Sequence, residues 1–301
     1  NVSYPDILGT AAPKSNAADL RTKGWELSAT WHDKVGTNWN YGLTLALSDN
    51  TSKITRYLNP TGAIDQYYVG KDIGEIWAYE TVGIFQTEAD VAASANQDQL
   101  GAAWKAGDMQ YADLNKDDKI TPGVRTLNDH GDLRIVGNTT PRYSFGINGD
   151  ISYKGIGLNV FFQGVMKRDY LPDNGNWNAF YPYNDGHLEK YAISESWTET
   201  NRDAYFAAPT FGYNTKKNIH PQSRYVQNAS YIRLKNLSVS YQFPVKLIQK
   251  VRLNGAQIYF AGMNLWEATK MHKPLDPESV FTVTQEYYLQ RIFTLGVKLN
   301  F

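Results

Sequence analysis

The sequence of 301 residues contains no cysteine, which excludes disulfide bonds, thiolate metal sites and thiol catalysis. It also has no excess of charge of either sign, because 30 Lys and Arg residues balance 30 Asp and Glu residues. A nucleic-acid partner would favour a basic face, so this composition argues against one. No run of about 18 apolar residues occurs, which excludes a transmembrane helix. A membrane is still allowed, since barrel strands carry their hydrophobicity in alternation.

Signals for export and for catalysis are also missing. Residues Asn1 to Pro5 show no basic region followed by an apolar stretch, so we expect an exported form to be a mature or truncated chain. The five histidines are scattered, and neither an HExxH nor a GxSxG motif occurs. The sequence therefore predicts that the protein is not an enzyme.

What the sequence does contain is alternation, clearest in its last fifteen residues. From Tyr287 to Phe301 every second residue is apolar, with Arg291 as the exception. An average soluble strand has about 5–6 residues, whereas a strand that crosses a membrane needs about 9–11. The pattern predicts the closing strand of an outer-membrane barrel. A half-buried edge strand of a soluble sandwich is the alternative.

Six further segments alternate in the same way and predict strands. They are residues 25–32, 39–48, 143–153, 156–163, 231–243 and 251–264.

The connections between the seven segments are short and long in turn. Lys154-Gly155 forms a two-residue hairpin, whereas residues 50–139 and 168–222 form long connections. Outer-membrane barrels have short periplasmic turns and long extracellular loops. Residues 265–286 form a third long connection. The order therefore predicts that all three long connections are extracellular and that the C-terminus is periplasmic.

The strand count predicts a portion of a larger structure. Seven is odd, whereas bacterial single-chain barrels have even strand numbers, and the long connections need a wider barrel than seven strands could make. We predict an all-β fold in which residues 1–301 form the C-terminal part of an antiparallel transmembrane β-barrel, beginning inside an extracellular loop. The lipid bilayer would then be the partner of its outer surface.

Several segments in order resemble the C-terminal barrel portion of the SusC/RagA family of TonB-dependent outer-membrane transporters of Bacteroidetes. They are residues 16–27, 74–86, 107–121, 135–146, 223–244, 262–266 and 275–278 and the terminal strand. The resemblance implies a barrel of about 22 strands with an N-terminal plug, expected to be absent from this chain. It also implies energy from the TonB complex through the N-terminal part, and a SusD-like surface lipoprotein as a lid.

An acidic segment that begins at Asp113 and reads DLNKDDKIT is similar to the front half of an EF-hand loop. Asp118 replaces the usual glycine of such a loop, and Val124 stands where a glutamate is usual. The likeness to the family segment adds Asp132 as a further acidic ligand. The candidate Ca²⁺ ligands are Asp113, Asn115, Asp117, Lys119 and Asp132. No cofactor is otherwise required, and a polar turn is the alternative to a calcium site.

Twelve aromatic residues lie between positions 168 and 225. Aromatic side chains in a polar loop can stack on sugar rings or pack against a partner protein, but they can also pack on one another to order the loop. The candidates for substrate or partner contact are Trp177, Phe180, Tyr181, Tyr183 and Trp197.

The sequence as a whole predicts active import of oligosaccharides or oligopeptides across the outer membrane. Two alternatives are a secreted β-rich carbohydrate-binding module and a small autonomous barrel that acts as an adhesin.

Overall fold

A computed structural model of the protein describes residues 16–172, 180–181, 190–209, 217–273, 275–281 and 289–301. Extended strands predominate in these residues, as the alternation predicts. In chain order the strands are β1 (Ala18–Val35), β2 (Trp39–Tyr57), β3 (Glu75–Tyr79), β4 (Thr81–Ile84), β5 (Met109–Tyr111), β6 (Leu133–Asn138), β7 (Arg142–Tyr153), β8 (Ile156–Lys167), β9 (Asp169–Tyr170), β10 (Gln227–Asn228), β11 (Tyr231–Gln242), β12 (Gly255–Thr269) and β13 (Ile292–Asn300).

Helices are few and short in the described residues. The α-helices are Glu88–Ala93, Tyr191–Glu195 and Val245–Ile248, and the 3₁₀ turns are Ser223–Tyr225 and Gln249–Val251. None of the helices in these ranges is long and apolar enough to cross a membrane.

All seven strands expected from alternation lie in one sheet of order β1-β2-β7-β8-β11-β12-β13. Each strand pairs with its neighbour in this order, and the pairs from β2 to β13 are antiparallel. The longest, β2, has 19 residues, and the shortest, β13, has 9. A transmembrane β-strand needs about 9–11 residues. Every strand of this sheet is therefore long enough to cross a membrane.

The short connection between β7 and β8 is the two-residue turn that the sequence predicts. Lys154 and Gly155 have φ angles of +45° and +87°, and a hairpin turn of type I′ needs positive φ at both positions. A Cβ on Gly155 would lie 2.6 Å from the carbonyl oxygen of Gln242. Glycine therefore serves both the turn and this close approach.

The last two strands of the sheet have bounds that differ from those expected from the alternation, which were residues 251–264 and 287–301. Strand β12 begins at Gly255, because the preceding 3₁₀ turn ends on Arg252 in the left-handed region, with φ +60°. Strand β13 begins only at Ile292, which pairs with Met263. The next residue of β12, Asn264, has φ +52° beside an irregularity in the ladder, and a bulge of this kind interrupts regular pairing.

The chain divides into two compact units. The sheet unit consists of Gly24–Asn50, Pro141–Arg168 and Asn228–Phe301. The loop unit consists of Asn1–Lys23, Thr51–Thr140 and Asp169–Gln227.

The loop unit has secondary structure that the sequence did not predict. Strand β3 pairs with β6, and β4 pairs with β5. Strands of three to six residues are too short for a period to be recognised in the sequence. The helix Glu88–Ala93 begins at a capping box, in which Thr87 Oγ1 accepts from the Asp90 amide and the Asp90 carboxylate accepts from the Thr87 amide.

Candidate functional site

The sheet unit has one face on which large apolar side chains lie exposed along its strands. Cross-strand pairing places Val239 beside Phe260, and Phe260 beside Leu295. Exposure is greatest on β13, where Leu295 is 75% and Val297 63% exposed. On β1, Leu27 and Trp31 are exposed as well. A continuous exposed apolar face of this extent indicates a surface made for an apolar environment.

The opposite face of the same strands is polar, as a strand period of two requires. Asn159 donates from Nδ2 to Oδ1 of Asn148 at 3.3 Å, which joins β8 to β7. Asn40 donates in the same way to the hydroxyl of Ser152 at 3.2 Å, which joins β2 to β7. Apolar and polar residues on alternate faces are typical of a barrel whose interior is wet.

The strand-linking segment of the sheet unit that contains Asp276 and Glu278 is attached to β11 by ion pairs. Arg233 is 1% exposed, and its guanidinium pairs with Asp276 at 2.6 Å and also with Glu267 and Glu278. Lys235 adds a contact of 3.1 Å to Glu278. Leaving one partner of such a buried set unpaired is costly, so these bonds hold the segment against the strand.

The loop unit has an aromatic core. Phe180, Phe206 and Tyr225 are each completely buried. The ring centroids of Phe180 and Phe206 are 5.4 Å apart, and those of Phe206 and Tyr225 are 5.7 Å apart. Tyr205 joins the same group at 4.7 Å from Phe206. Aromatic pairs at these distances stabilise a core beyond their buried area.

The structure places three of the five aromatic site candidates inside the loop unit. Phe180 and Tyr181 belong to the aromatic core, with ring centroids 4.9 Å apart. Trp197 is buried as well, and its indole donates to Oε1 of Gln86 at 3.3 Å. These positions agree with the interpretation in which loop aromatics pack on one another. Trp177 and Tyr183 lie outside the described residues, and substrate contact by any of the five stays a prediction.

A second group of buried residues in the loop unit is polar. Lys217 and Asp108 form an ion pair of 2.6 Å, and the Asn218 amide donates to Asp108 at 2.9 Å. Lys217 also donates to the carbonyl oxygen of Ala103 at 2.8 Å. The amide of Met109 donates to Oδ1 of Asn218, which attaches β5 to this group. No local sequence signal could have found it, because its members lie in two distant segments.

His220 lies beside this polar group. Its Nε2 atom is 2.6 Å from the carbonyl oxygen of Leu100, and its ring lies 6.5 Å from that of Tyr111. Burial lowers the pKa of the imidazole below its ordinary value, and the hydrogen bond to Leu100 opposes this shift. The neutral ring is therefore the form that this packing favours.

The acidic segment folds as a turn whose carboxylates bind their own backbone. Asp113 accepts hydrogen bonds from the amides of Lys116 at 2.6 Å and Asp118 at 2.8 Å. Asp132 is completely buried and accepts from the amides of Leu114 and Thr121, both at 2.7 Å. The structure thus brings Asp132 to the segment, as expected.

Two further candidate calcium ligands, Asn115 and Asp117, form hydrogen bonds within the segment. Asn115 donates to the carboxylate of Asp117 at 3.0 Å, and Asp117 accepts from the amide of Lys119 at 2.9 Å. Within the described parts of the chain, no three Asp, Glu or His side chains are grouped so that they could hold a metal ion. The donor set as it stands fits the polar turn, and calcium binding stays a prediction.

Comparison with known proteins finds similarity to TonB-dependent receptors in sequence and to RagAB in structure. No family model matches the sequence. TonB-dependent receptor P3 of Formosa agariphila is 24% identical over 331 residues, covering 99% of this chain and 30% of the receptor. TonB-dependent receptor P26 of the same organism is 26% identical over 328 residues, covering 100% of this chain and 31% of the receptor.

Solved structures of RagAB share the fold. The RagAB peptide transporter matches with a TM-score of 0.70 and 21% identity over 99% of this chain and 31% of the other. The RagAB peptide importer in its open-open state matches with a TM-score of 0.68 and 22% identity over 100% and 31%. The chain thus spans about a third of the length of the proteins that it matches.

The resemblance to a barrel portion of the SusC/RagA type of TonB-dependent transporter is therefore confirmed. The antiparallel barrel-portion fold is confirmed with it. The number of strands in a complete barrel stays a prediction.

Proposed function

We propose that this chain is the barrel portion of an outer-membrane transporter that actively imports oligopeptides or oligosaccharides. The observation that carries the proposal is the sheet of seven long strands with one exposed apolar face and one polar face. In water the apolar face would promote aggregation, whereas in a bilayer it is satisfied by lipid. A secreted carbohydrate-binding module would have to keep this face in water, which disfavours that alternative.

The proposal includes an orientation. Turns such as Lys154-Gly155 would lie on the periplasmic side together with Phe301, and the long connections 50–139 and 168–222 would be extracellular. Trp39 stacks on Tyr153 at 4.3 Å between centroids, close to the turn ends of β2 and β7. Aromatic side chains are enriched at membrane interfaces, which supports placing these ends near a headgroup layer.

The partners follow from the class of transporter. We propose that a SusD-like surface lipoprotein covers the extracellular mouth, and that the TonB complex supplies energy through an N-terminal part. The aromatic segment 168–222 would face that mouth. Because Phe180, Tyr181 and Trp197 are buried, ligand contact would fall first on Trp177 and Tyr183.

The substrate class is the finer part of the proposal. The structural relative is described as a peptide importer, which favours oligopeptides. Oligosaccharides are the second class, since exposed aromatic rings stack well on sugars. The protein would perform no chemistry on either substrate.

Uptake in cells tests the proposal. In a strain that lacks the gene, we expect uptake of one class of labelled oligomer to be lost, to return with the wild-type gene, and to stop when a protonophore removes the proton gradient. Trp177→Ala should reduce uptake modestly, because specificity is distributed over the loops, whereas Ile193→Ala, at an exposed position of the loop unit, should not reduce it. Full uptake without the gene, or a monodisperse solution of the purified protein without detergent, would contradict the proposal.

A further inference from the structure

A groove of 460 Å³ interrupts the apolar face of the sheet unit where β8, β11 and β12 adjoin. Register places Phe145, Gly164, Ile232 and Ala268 in one row across four strands. Two residues further along β11 and β12, on the same face, Leu234 pairs with Trp266. The row therefore lies on the exposed apolar face rather than on the polar one.

The groove is open at Ala268, whose side chain is a single methyl group. Gly164 has no side chain, and the ring of Phe145 fills the space above it. A Cβ on Gly164 would lie 2.5 Å from the ring of Phe145, so this ring leans over the glycine and forms one wall. Met166 and Ile232 add further apolar surface to the lining. The result is a shallow, mainly apolar channel.

One end of the groove is cationic. Lys270 lines it directly. Lys167 ends β8, and Lys273 follows β12, so both lie at the same strand ends as Lys270. All three are exposed, and none forms an ion pair with another described residue. Glu267 is the nearest acidic residue along β12, and it is paired with Arg233.

We propose that this groove binds an acyl chain of an anionic membrane lipid, whose phosphate-bearing headgroup is held by Lys270. The apolar channel matches a flexible hydrocarbon chain, and lysine is a good point-charge partner for phosphate. Basic residues at a membrane surface attract anionic lipids. Lys167 and Lys273 add positive charge at the same end. The proposal rests on the proposed function only in that the apolar face must contact a bilayer.

Lipid binding to the intact detergent-purified protein that carries residues 1–301 tests this inference. The probe is phosphatidylglycerol, counted by native mass spectrometry, with neutral-headed phosphatidylethanolamine for comparison. Lys270→Ala should weaken phosphatidylglycerol binding about fivefold and phosphatidylethanolamine binding less, because the ammonium group of the latter already offsets its phosphate charge. Ala268→Phe should fill the groove and reduce both lipids. Lys250→Ala, an exposed lysine between β11 and β12 at their opposite ends, is the matched control and should change neither.

Three outcomes would overturn the groove assignment. They are unchanged phosphatidylglycerol binding in both groove variants, an equal loss in Lys250→Ala, and displacement of the bound lipid from the wild-type protein by inorganic phosphate alone. The last result would mean that a headgroup site without a chain site explains the binding.

Heat-dependent migration of each variant on a detergent gel reports whether the barrel is folded, so a misfolded variant is recognised. If a variant is misfolded, the phosphate competition on the wild-type protein tests the groove assignment instead. Lipid that stays bound in the presence of phosphate supports the groove, and displaced lipid contradicts it. A wild-type protein that stays monodisperse without detergent would contradict the membrane function, and this result is distinct from a failure of lipid selectivity.

Discussion

The Nζ atom of Lys217 lies 2.6 Å from Oδ2 of Asp108, and both side chains are almost completely buried. Such a pair is favourable only where further hydrogen bonds satisfy its remaining atoms. Here Asn218 and the Lys105 amide both donate to Asp108. The pair therefore holds β5 and the segment around Lys217 in a single arrangement within the loop unit.

Lys217→Met should destabilise the loop unit strongly. The substitution leaves the Asp108 carboxylate buried without its cation, which costs about 3–5 kcal/mol in comparable pairs. Hydrogen exchange of the Met109 and Tyr111 amides in the intact protein measures the effect. Lys105→Met, at an exposed side chain, is the control and should leave exchange unchanged. Equal exchange in the two variants would show that the ion pair does not hold this region.

Leu295→Asp should reduce the amount of protein in the outer membrane. Leu295 is exposed on the apolar face of β13, and a charge at a lipid-facing site costs about 2–4 kcal/mol for Arg or Lys and less for Asp. Thr294→Asp, on the opposite face beside Ala261, is the matched control and should assemble normally. Quantitative blotting of membrane fractions measures both, and normal levels of Leu295→Asp would remove the membrane assignment of this face.

Deletion of Phe301 should also reduce the amount of protein in the outer membrane, measured in the same way.

Asp132→Asn should loosen the acidic turn. An amide offers one acceptor oxygen in place of the two that receive the Leu114 and Thr121 amides. Hydrogen exchange at these two amides should therefore rise, and the exposed substitution Asp129→Asn should not change it. If the turn binds Ca²⁺, a chelator should raise exchange in the wild-type protein as well. Exchange that is the same with and without chelator would support the polar turn.

Acidification should destabilise the loop unit through His220. Its pKa in the folded protein is lowered, so the neutral ring contributes stability above the ordinary pKa of about 6.5, and this contribution is lost as pH falls below that value. His220→Gln keeps a donor for Leu100 but cannot titrate, so its stability should depend less on pH between about 7 and 5. His32→Gln, at an exposed position, is the control. Thermal unfolding at several pH values measures the difference, and identical pH profiles would contradict this role.

Phe206→Ala should unfold part of the aromatic core. Truncation of a fully buried phenylalanine costs about 3–5 kcal/mol, and Phe206 is completely buried. Ile193→Ala, at a residue that is 82% exposed, should cost little. Protease sensitivity of the loop unit in intact cells compares the two. Equal sensitivity would mean that this core does not stabilise the exposed segment.

Much of the sheet could be predicted from the sequence. The pattern from Trp39 to Leu47 and that from Tyr143 to Tyr153 predicted two strands, and the structure pairs them residue by residue. The Lys154-Gly155 turn was predicted in the same way. A period of two is a local property, so each strand and its apolar face can be recognised without knowledge of the rest of the chain.

The contents of the long connections could not be predicted in this way. Phe180, Tyr181 and Trp197 have the residue types of a ligand surface, yet they are buried. Asp132 was assigned to the acidic turn by resemblance, but the sequence did not show that its two oxygens bind backbone amides. Lys270 carried no local pattern at all, and only the tertiary structure places it at a groove lined by Phe145, Ile232 and Ala268.

The sequence by itself determined that this chain forms long amphipathic strands with an outward apolar face, because alternation is written into consecutive residues. Only the tertiary structure decided which polar and aromatic side chains are buried. Asn218 and Asp108, which are hydrogen-bonded, lie 110 positions apart in the chain. Whether such a residue is buried depends on which distant segment packs against it, and no local pattern contains that information.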